Sequence, residues 1–367
     1  MYGDKDIKVL TIQFRMKEQL VHRMQLPREV LVGDGVLSQV SGICKRLGYK
    51  SSATILTGSH ALETATKDVV DSLEKDGFKV RLQVVEEANM DSVAKTGGCI
   101  EKWRPDVVLG IGGGKVIDVA KLTASLKNLP FISIPTTLSH DGIASSRASI
   151  KGITGPTSVE AQVPIAIIGD VHVISMSPYR LTASGCGDII AKYTAVKDWK
   201  LAHRAKGEYY GEYASNLALM SAKLVMKDAN VIRRTKEEGA RIVLEALISC
   251  GVAMSIAGSS RPCSGSEHLF SHALDQVAPK PALHGEQCGV GAIMMAYLWK
   301  ANWKGLKEKL EILGAPTTAE ELGISKECVI KALMIARTIR PNRYTIIHAK
   351  NLTRRTASEL AQATQII

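Results

Sequence analysis

The sequence predicts an α/β protein with two domains: a doubly wound parallel sheet in residues 1–177 and an all-helical domain in residues 178–367, with the active site in the cleft between them. Three observations lead to this prediction. The chain has 367 residues, more than a single core usually organises. Short β-branched runs alternate with amphipathic stretches from Glu29 to about Val173, as in parallel strands joined by helices. After Pro178, segments rich in Ala, Leu, Met and Lys take over, which favours helices.

Strands are expected in six runs, each bounded by glycine, proline or charged residues. They are EVLVG, SATILTG, KVRLQVV, DVVLGIG, PFISIP and VPIAIIGDVHVI. A crossover helix is expected in HALETATKDVVDSLEKDG. In the second half, apolar residues recur at the three- and four-residue spacing of helices. The segments are GDIIAKYTAVKDWKLAHRA, SNLALMSAKLVMKDANVIRR, GARIVLEALISCGVAMSIAG and CVIKALMIARTI.

Composition narrows the class of protein. No uninterrupted apolar run approaches the roughly 20 residues of a membrane-spanning helix, and the charged N-terminal stretch MYGDKDIKVLTIQFRMKEQL does not look like a secretory signal. The seven cysteines are scattered, as in a cytoplasmic protein with reduced thiols. The net charge of +11 comes from basic residues interleaved with acids, a pattern that favours small anionic ligands over nucleic acid.

A glycine-rich turn in DVVLGIGGGKVIDVAK predicts a phosphate site. A strand runs into Gly112, Gly113 and Gly114 and a helix is expected from about Lys115. Glycines let the backbone approach a pyrophosphate, and the free N–H groups of a helix start stabilise its charge. Lys115 stands where the dinucleotide fingerprint has its third glycine, so this is a variant of the Rossmann-like turn. A tight turn without ligand is the alternative, disfavoured by the unfolded-state entropy of three adjacent glycines.

A second polar segment follows the PFISIP strand, again at the carboxyl edge of the sheet, where such folds bind ligands. Its hydroxyls belong to Thr136, Thr137, Ser139 and Ser145, and they can bond a cofactor; Asp141 can accept from a substrate hydroxyl. Capping and turn formation explain the same residue types equally well. The position of the segment favours a ligand.

One carboxylate and two imidazoles are the candidate metal ligands: Asp188, His268 and His284. Such a set holds a divalent ion and leaves coordination positions open for substrate. Asp188 follows two glycines where a helix is expected to start, and His272 shares a helical face with His268. Histidines are more often satisfied core or surface groups than ligands, so spacing alone leaves both interpretations open.

Five motifs in this order resemble the superfamily of iron-containing alcohol dehydrogenases, glycerol dehydrogenases and dehydroquinate synthases, and within it most of all the sn-glycerol-1-phosphate dehydrogenase family. The motifs are GGGKVIDVAK, TTLSHDGIASS, SGCGDIIAKYTAVKDWKLA, SGSEHLFSHALD and HGEQCGVG, spanning residues 112 to 291. The resemblance implies a Rossmann-like N-terminal domain, a helical domain and assembly into a homo-oligomer.

The resemblance also implies roles for particular residues. Those expected at the NAD(P) cofactor are Gly112, Gly113, Gly114, Lys115, Val116, Ile117, Asp118, Thr136, Thr137, Leu138, Ser139 and Ser145. Asp188, His268 and His284 match zinc ligands, with Fe²⁺ as the alternative ion. Asp141, Asp188 and His272 match substrate contacts, and Asp188 and His272 are the expected catalytic residues.

The implied reaction is metal-assisted reduction of dihydroxyacetone phosphate to sn-glycerol 1-phosphate by NAD(P)H, a step in archaeal-type phospholipid synthesis. The ion would polarise the ketone, and His272 or a water would supply the proton. A polyol dehydrogenase acting on glycerol and a dehydroquinate synthase-like cyclase are the alternatives.

Two further expectations concern ligand phosphates. Ser59 and His60, rather than an acid, follow the strand SATILTG, so NADP is expected to be accepted alongside NAD. Lys192, Arg261 and Arg147 are candidates for holding the substrate phosphate because they lie near the motifs in sequence.

Overall fold

The computed structural model describes residues 22–152 and 155–367; the charged stretch at residues 1–20 lies outside these ranges. Six strands form one parallel sheet in the order β1-β8-β5-β4-β2-β3. Their bounds are β1 Glu29–Gly33, β2 Ser52–Thr57, β3 Lys79–Val84, β4 Val107–Gly112, β5 Phe131–Pro135 and β8 Ala166–Asp170. An antiparallel hairpin of β6 (Arg147–Gly152) and β7 (Gly155–Glu160) stands apart from it. The predicted doubly wound α/β class is confirmed.

All six expected strands form, but two features of this region were not predicted. The last run, VPIAIIGDVHVI, was predicted as one strand, and this is wrong. The strand ends at Asp170 because the Asp170 carboxylate accepts a hydrogen bond of 3.2 Å from the Val173 N–H and starts a short helix over Val171–Ser175. The hairpin was missed altogether: β6 has only two apolar residues, Ala148 and Ile150, in its alternation, and β7 begins with glycine and proline.

The helices of the N-terminal half cover both faces of the sheet. They are α1 Val40–Arg46, α2 Ser59–Leu62, α3 Ala65–Lys75, α4 Met90–Trp103, α5 Gly114–Leu126 and α6 Val171–Ser175. Two separate apolar clusters result. On one face, Ile55 and Leu109 of the sheet belong to a cluster with Val69 of α3. On the other face, Phe131 of the sheet belongs to a cluster with Ile117 of α5.

Helices make up the chain after the sheet. They are α7 Tyr179–Lys206, α8 Glu212–Lys227, α9 Ala229–Arg234, α10 Glu237–Ala257, α11 Ser266–Val277, α12 His284–Leu298, α13 Trp303–Ile312, α14 Lys326–Ile339, α15 Ile346–Lys350 and α16 Arg354–Ala363. The expected single helix over SNLALMSAKLVMKDANVIRR is divided at Asp228 into α8 and α9. The division of domains at residue 177 stays a prediction.

The core of the helical half reaches the sheet. Buried residues of α7, α10 and α12 form one cluster that also contains Leu138, after β5, and Ile167 on β8. Leu244 of α10 packs so closely on β8 that a side chain at Gly169 would overlap it. By length and composition α10 is apolar enough to cross a membrane, yet 67% of its most apolar window is buried, as in a core helix.

Candidate active site

Two helices cross in backbone contact at the centre of the helical half. A side chain at Gly187 on α7 would overlap the carbonyl oxygen of Gly285 on α12, and one at Gly285 would overlap the carbonyl of Ser184. This contact brings Asp188 beside His284, the first residue of α12. Asp188 was expected at a helix start, which is wrong: it lies within α7, a helix of 28 residues.

Four side chains with potential metal-ligand atoms, the donor cluster, meet at this crossing. Ligand atoms of Asp188, His268, His284 and Cys288 all lie within 4.8 Å of one another. The Nε2 atom of His268 is 3.4 Å from Oδ1 of Asp188, and the Sγ atom of Cys288 is 3.6 Å from Nε2 of His284. The structure thus brings together all three residues expected to hold a metal. Cys288 was missed, although its position four residues after His284 on one helix was a usable signal.

Hydrogen bonds orient both imidazoles towards the cluster. The Nδ1 atom of His268 lies 2.9 Å from Oε1 of the buried Glu267. The Ser271 hydroxyl donates to Oε1 of Gln287 at 2.7 Å, so His284 donates its Nδ1 proton to Ser271 at 3.1 Å. Each ring then presents Nε2 to the other donors. Partners of this kind on the far nitrogen are typical of metal-binding histidines.

A buried lysine ties the cluster to the loop after β5. The Lys192 ammonium lies 2.6 Å from Oδ1 of Asp188 and 2.8 Å from Oδ2 of Asp141. The Asp141 N–H donates to Oδ2 of Asp188 at 2.9 Å. Burial alone would raise the pKa of Asp188, but Lys192 and His268 hold it well below its usual value. Asp188 is therefore ionised, and Lys192 is engaged by two carboxylates.

Each of the three candidates for the substrate phosphate has partners within the protein. Lys192 is buried between carboxylates, and its contact with a substrate phosphate stays a prediction. The guanidinium of Arg261 is paired with Glu208 and is committed in the same way. Arg147 donates to Ser158 through Nε, at 3.2 Å to the hydroxyl, and through Nη2, at 2.8 Å to the carbonyl.

His272 lies one turn beyond His268, outside the donor cluster. Its ring stacks on that of His284 with centroids 5.7 Å apart. Its Nδ1 atom is 3.6 Å from Oδ2 of Asp275 and has no hydrogen-bond partner among the described residues. Burial holds the pKa of His272 below its usual value, so the ring is neutral. The structure thus places it beside the cluster, and its expected contact with substrate stays a prediction.

The glycine-rich turn and the polar segment lie side by side. Gly112 pairs with Pro135 across β4 and β5, and the Thr136 N–H donates to the Gly112 carbonyl at 3.0 Å. Gly112 has φ +155°, a conformation that favours glycine. A side chain at Gly114, the first residue of α5, would overlap the imidazole of His140. His140 was not singled out from the sequence, yet it joins the turn to the loop that carries Asp141.

The side chains expected at the cofactor differ in exposure. Val116, Ile117 and Leu138 are buried in apolar clusters, so only their backbone can face a ligand. The buried Asp118 carboxylate accepts from the Ser149 N–H at 3.1 Å. Lys115 is exposed, 3.3 Å from Glu87. Their contacts with NAD(P), like those of Thr136, Thr137, Ser139 and Ser145, stay predictions.

The fold and the site together define a class of protein. Residues 31–178 match the family model described as iron-containing alcohol dehydrogenase. Solved structures share the fold. Glycerol dehydrogenase from Schizosaccharomyces pombe superposes with a TM-score of 0.77 at 23% identity, covering 94% of this chain and 90% of that one. Sulfoacetaldehyde reductase from Bifidobacterium kashiwanohense superposes with a TM-score of 0.75 at 18% identity, covering 94% and 99%. This is the fold of the iron-containing alcohol dehydrogenases.

Closer relatives narrow the class. The glycerol-1-phosphate dehydrogenase (NAD(P)+) of Thermococcus sibiricus is 53% identical over 347 residues, covering 95% of this chain and 99% of its own. The protein of the same name from Methanothermobacter thermautotrophicus is 51% identical over 345 residues, covering 94% and 99%. The chain belongs to the glycerol-1-phosphate dehydrogenase family of oxidoreductases.

Proposed function

We propose that this protein reduces dihydroxyacetone phosphate to sn-glycerol 1-phosphate with NADH or NADPH, in synthesis of the glycerophospholipid backbone. One observation carries the proposal: the donor cluster at Asp188 adjoins Asp141, and the Asp141 loop adjoins the glycine-rich turn through His140. The candidate metal ligands, the expected substrate contact and the expected nucleotide cradle are thus contiguous. The names of the relatives that match nearly the whole chain support this substrate.

The donor set fits a divalent cation. Asp188 is ionised, and His268 and His284 each direct Nε2 inward, the donors that zinc takes in catalytic sites. Burial opposes protonation of His268, but Cys288, Asp188 and Glu267 hold its pKa well above the usual value. Metal binding would therefore release a proton. We assign Zn²⁺, with Fe²⁺ as the alternative; when bound, the ion would supply a Lewis acid that polarises the substrate carbonyl.

Asp141 and His272 are proposed to act on the substrate directly. Oδ2 of Asp141 lies 2.8 Å from the Lys192 ammonium and has no hydrogen-bond partner among the described residues, so the carboxylate can accept from a substrate hydroxyl. Nδ1 of His272 is uncommitted beside the cluster. A neutral imidazole there can donate a hydrogen bond to the oxygen that gains charge as the ketone is reduced, and the proton that completes the alcohol comes from water.

The nucleotide is proposed to bind at the start of α5. Its first N–H groups, from Gly114 and Lys115, have no carbonyl partner within the helix and face the carboxyl edge of the sheet, so they can hold a pyrophosphate. Val116 and Ile117 donate their N–H groups to the Gly113 carbonyl instead, at 3.0 and 3.1 Å. No acid follows β2 directly, so NADP is proposed to bind as well as NAD.

The protein is also proposed to work in the cytoplasm as a homo-oligomer, with small molecules rather than nucleic acid or membranes as ligands. Tyr213, Met220 and Leu224 on α8 are 88%, 49% and 43% exposed. Their spacing places them on one helical face, and such an apolar stripe supports contact with a second copy.

The test follows NADH and NADPH oxidation with dihydroxyacetone phosphate, with and without a chelator, and identifies the enantiomer formed. We expect chelator-sensitive turnover yielding sn-glycerol 1-phosphate. Asp188→Ala and His268→Ala should lose metal and turnover while still binding dinucleotide. Turnover with glycerol but not with the phosphate would favour a polyol dehydrogenase, and the absence of net NADH consumption would favour a cyclase. Full activity in either variant would contradict the metal site.

A further inference from the structure

Cys288 is the fourth side chain in the group of potential metal ligands. It follows His284 by four residues on α12, so the two side chains share one helical face. The thiol is fully buried, and its Sγ atom is 3.6 Å from Nε2 of His284. The Sγ atom also lies within 4.8 Å of the ligand atoms of Asp188 and His268.

Two separations among these atoms match the edges of a tetrahedral zinc site. With Zn–N and Zn–O distances of about 2.05 Å and a Zn–S distance of about 2.3 Å, a tetrahedron has N···O edges of about 3.4 Å and N···S edges of about 3.6 Å. The His268 Nε2 to Asp188 Oδ1 distance is 3.4 Å. The His284 Nε2 to Cys288 Sγ distance is 3.6 Å. Each of these two separations equals an edge expected for one shared ion. Sγ also lies 4.0 Å from Nδ1 of His284, so the thiol turns towards the Nε2 side of the ring as the ion binds.

An ordinary buried thiol does not explain the position as well. Cys186 on α7, two residues before Asp188, is equally buried but belongs only to the apolar core. Cys263 donates to the Cys250 carbonyl at 3.3 Å. Among the seven free cysteines, all of which lie in the described part of the chain, Cys288 is the one grouped with potential ligands.

We propose that Cys288 is a fourth protein ligand, bound as thiolate to the ion held by Asp188, His268 and His284. The proposal rests on the metal site of the proposed function and extends it. Thiolate is a ligand that selects zinc over magnesium and other hard cations. Its proton passes to solvent as the ion binds. Four protein ligands require the coordination number to rise to five when substrate enters, as zinc sites allow.

X-ray absorption fine structure of the zinc-loaded full-length protein tests this directly. We expect one sulfur at about 2.3 Å besides nitrogen and oxygen at about 2.0–2.1 Å. Cys288→Ala should lose the sulfur contribution, and its zinc affinity in chelator competition should fall by about tenfold or more, since even outer-shell changes cost roughly 10–100-fold. Cys186→Ala is the matched control and should keep the sulfur contribution and the affinity.

The outcomes separate this proposal from the proposed function. Zinc bound at one ion per chain with nitrogen and oxygen alone overturns the role of Cys288 and leaves the three-ligand site intact. Failure to bind zinc overturns both. A sulfur contribution in a protein that does not turn over dihydroxyacetone phosphate supports the ligand and contradicts the substrate. The measurement on the unmodified protein decides the question even if Cys288→Ala fails to fold.

Discussion

Glu267 orients His268 and, with Cys288 and Asp188, holds the pKa of its imidazole high. Replacement of Glu267 by glutamine isolates the effect of its charge. The carboxylate accepts from the Gly265 N–H at 2.6 Å and from the Thr194 hydroxyl at 3.0 Å, and it lies 2.9 Å from Nδ1 of His268. In Glu267→Gln the amide oxygen can keep the bonds from Gly265 and His268. The amide nitrogen can donate to Thr194, whose proton then serves the Ala191 carbonyl, 3.0 Å away. Every hydrogen bond is retained and only the negative charge is lost.

The magnitude follows from what such partners contribute to metal affinity. Removal of an outer-shell partner costs roughly 10–100-fold, which corresponds to about 1.4–2.7 kcal/mol. We expect the loss of zinc affinity in Glu267→Gln to lie at the lower limit, since only the basicity of the His268 imidazole changes. Glu267→Ala should lie near the upper limit, because the imidazole of His268 also loses its fixed orientation.

The assay is zinc competition against a chelator of known affinity, with thermal unfolding as the check on folding. Asp170→Asn is the matched control: it removes the charge of another buried carboxylate, one that caps α6 through the Val173 N–H, and asparagine caps equally well. Its zinc affinity should stay that of the unmodified protein. An alanine variant with unchanged affinity would refute the orienting role, and an unchanged glutamine variant beside a weakened alanine one would show that charge plays no part.

Three further predictions follow from the same geometry. Gly187→Ala should destabilise the protein by about 1–3 kcal/mol in denaturant unfolding, as overpacking does, because the new methyl group meets the Gly285 carbonyl. The same overlap should weaken zinc binding. A variant with unchanged stability and zinc affinity would contradict the backbone contact. Zinc at 100 times its dissociation constant should raise the free energy of unfolding by about 2.7 kcal/mol. The melting temperature should rise accordingly, and a chelator should reverse the rise. An unchanged melting temperature would show that the folded state does not bind the ion preferentially. Burial and Glu267 raise the pKa of Asp198 to about 7, from 3.8, so the folded state keeps a proton that the unfolded state loses, and this group's contribution to stability falls as pH rises from about 4 to 7. In urea unfolding, the free energy of unfolding of Asp198→Asn should depend less on pH across that range than that of the unmodified protein. Parallel pH profiles of the two proteins would contradict the raised pKa.

Local patterns were sufficient for most of the fold. Short β-branched runs bounded by turn residues located the six parallel strands, because strands covered on both faces of a sheet are apolar throughout. Apolar residues at three- and four-residue spacing located the long helices, because burial of one helical face imposes that period. These patterns did not determine where each strand or helix ends. Asp170 ends β8 through a single side-chain hydrogen bond, and the residues after it are as apolar and β-branched as the strand itself.

From the sequence alone we predicted the fold class and the glycine-rich turn, since both depend on residue types within short segments. Asp188, His268 and His284, three of the four clustered side chains, were predicted through the order of five motifs that resembles a known family. Only the tertiary structure decided that Gly187 and Gly285 are in contact, that Lys192 serves two carboxylates, and that Cys288 stands with Asp188. These relations join residues far apart in the chain, and they arise from how closely two helices pack. The distance between two packed helices cannot be read from the periodicity of either segment.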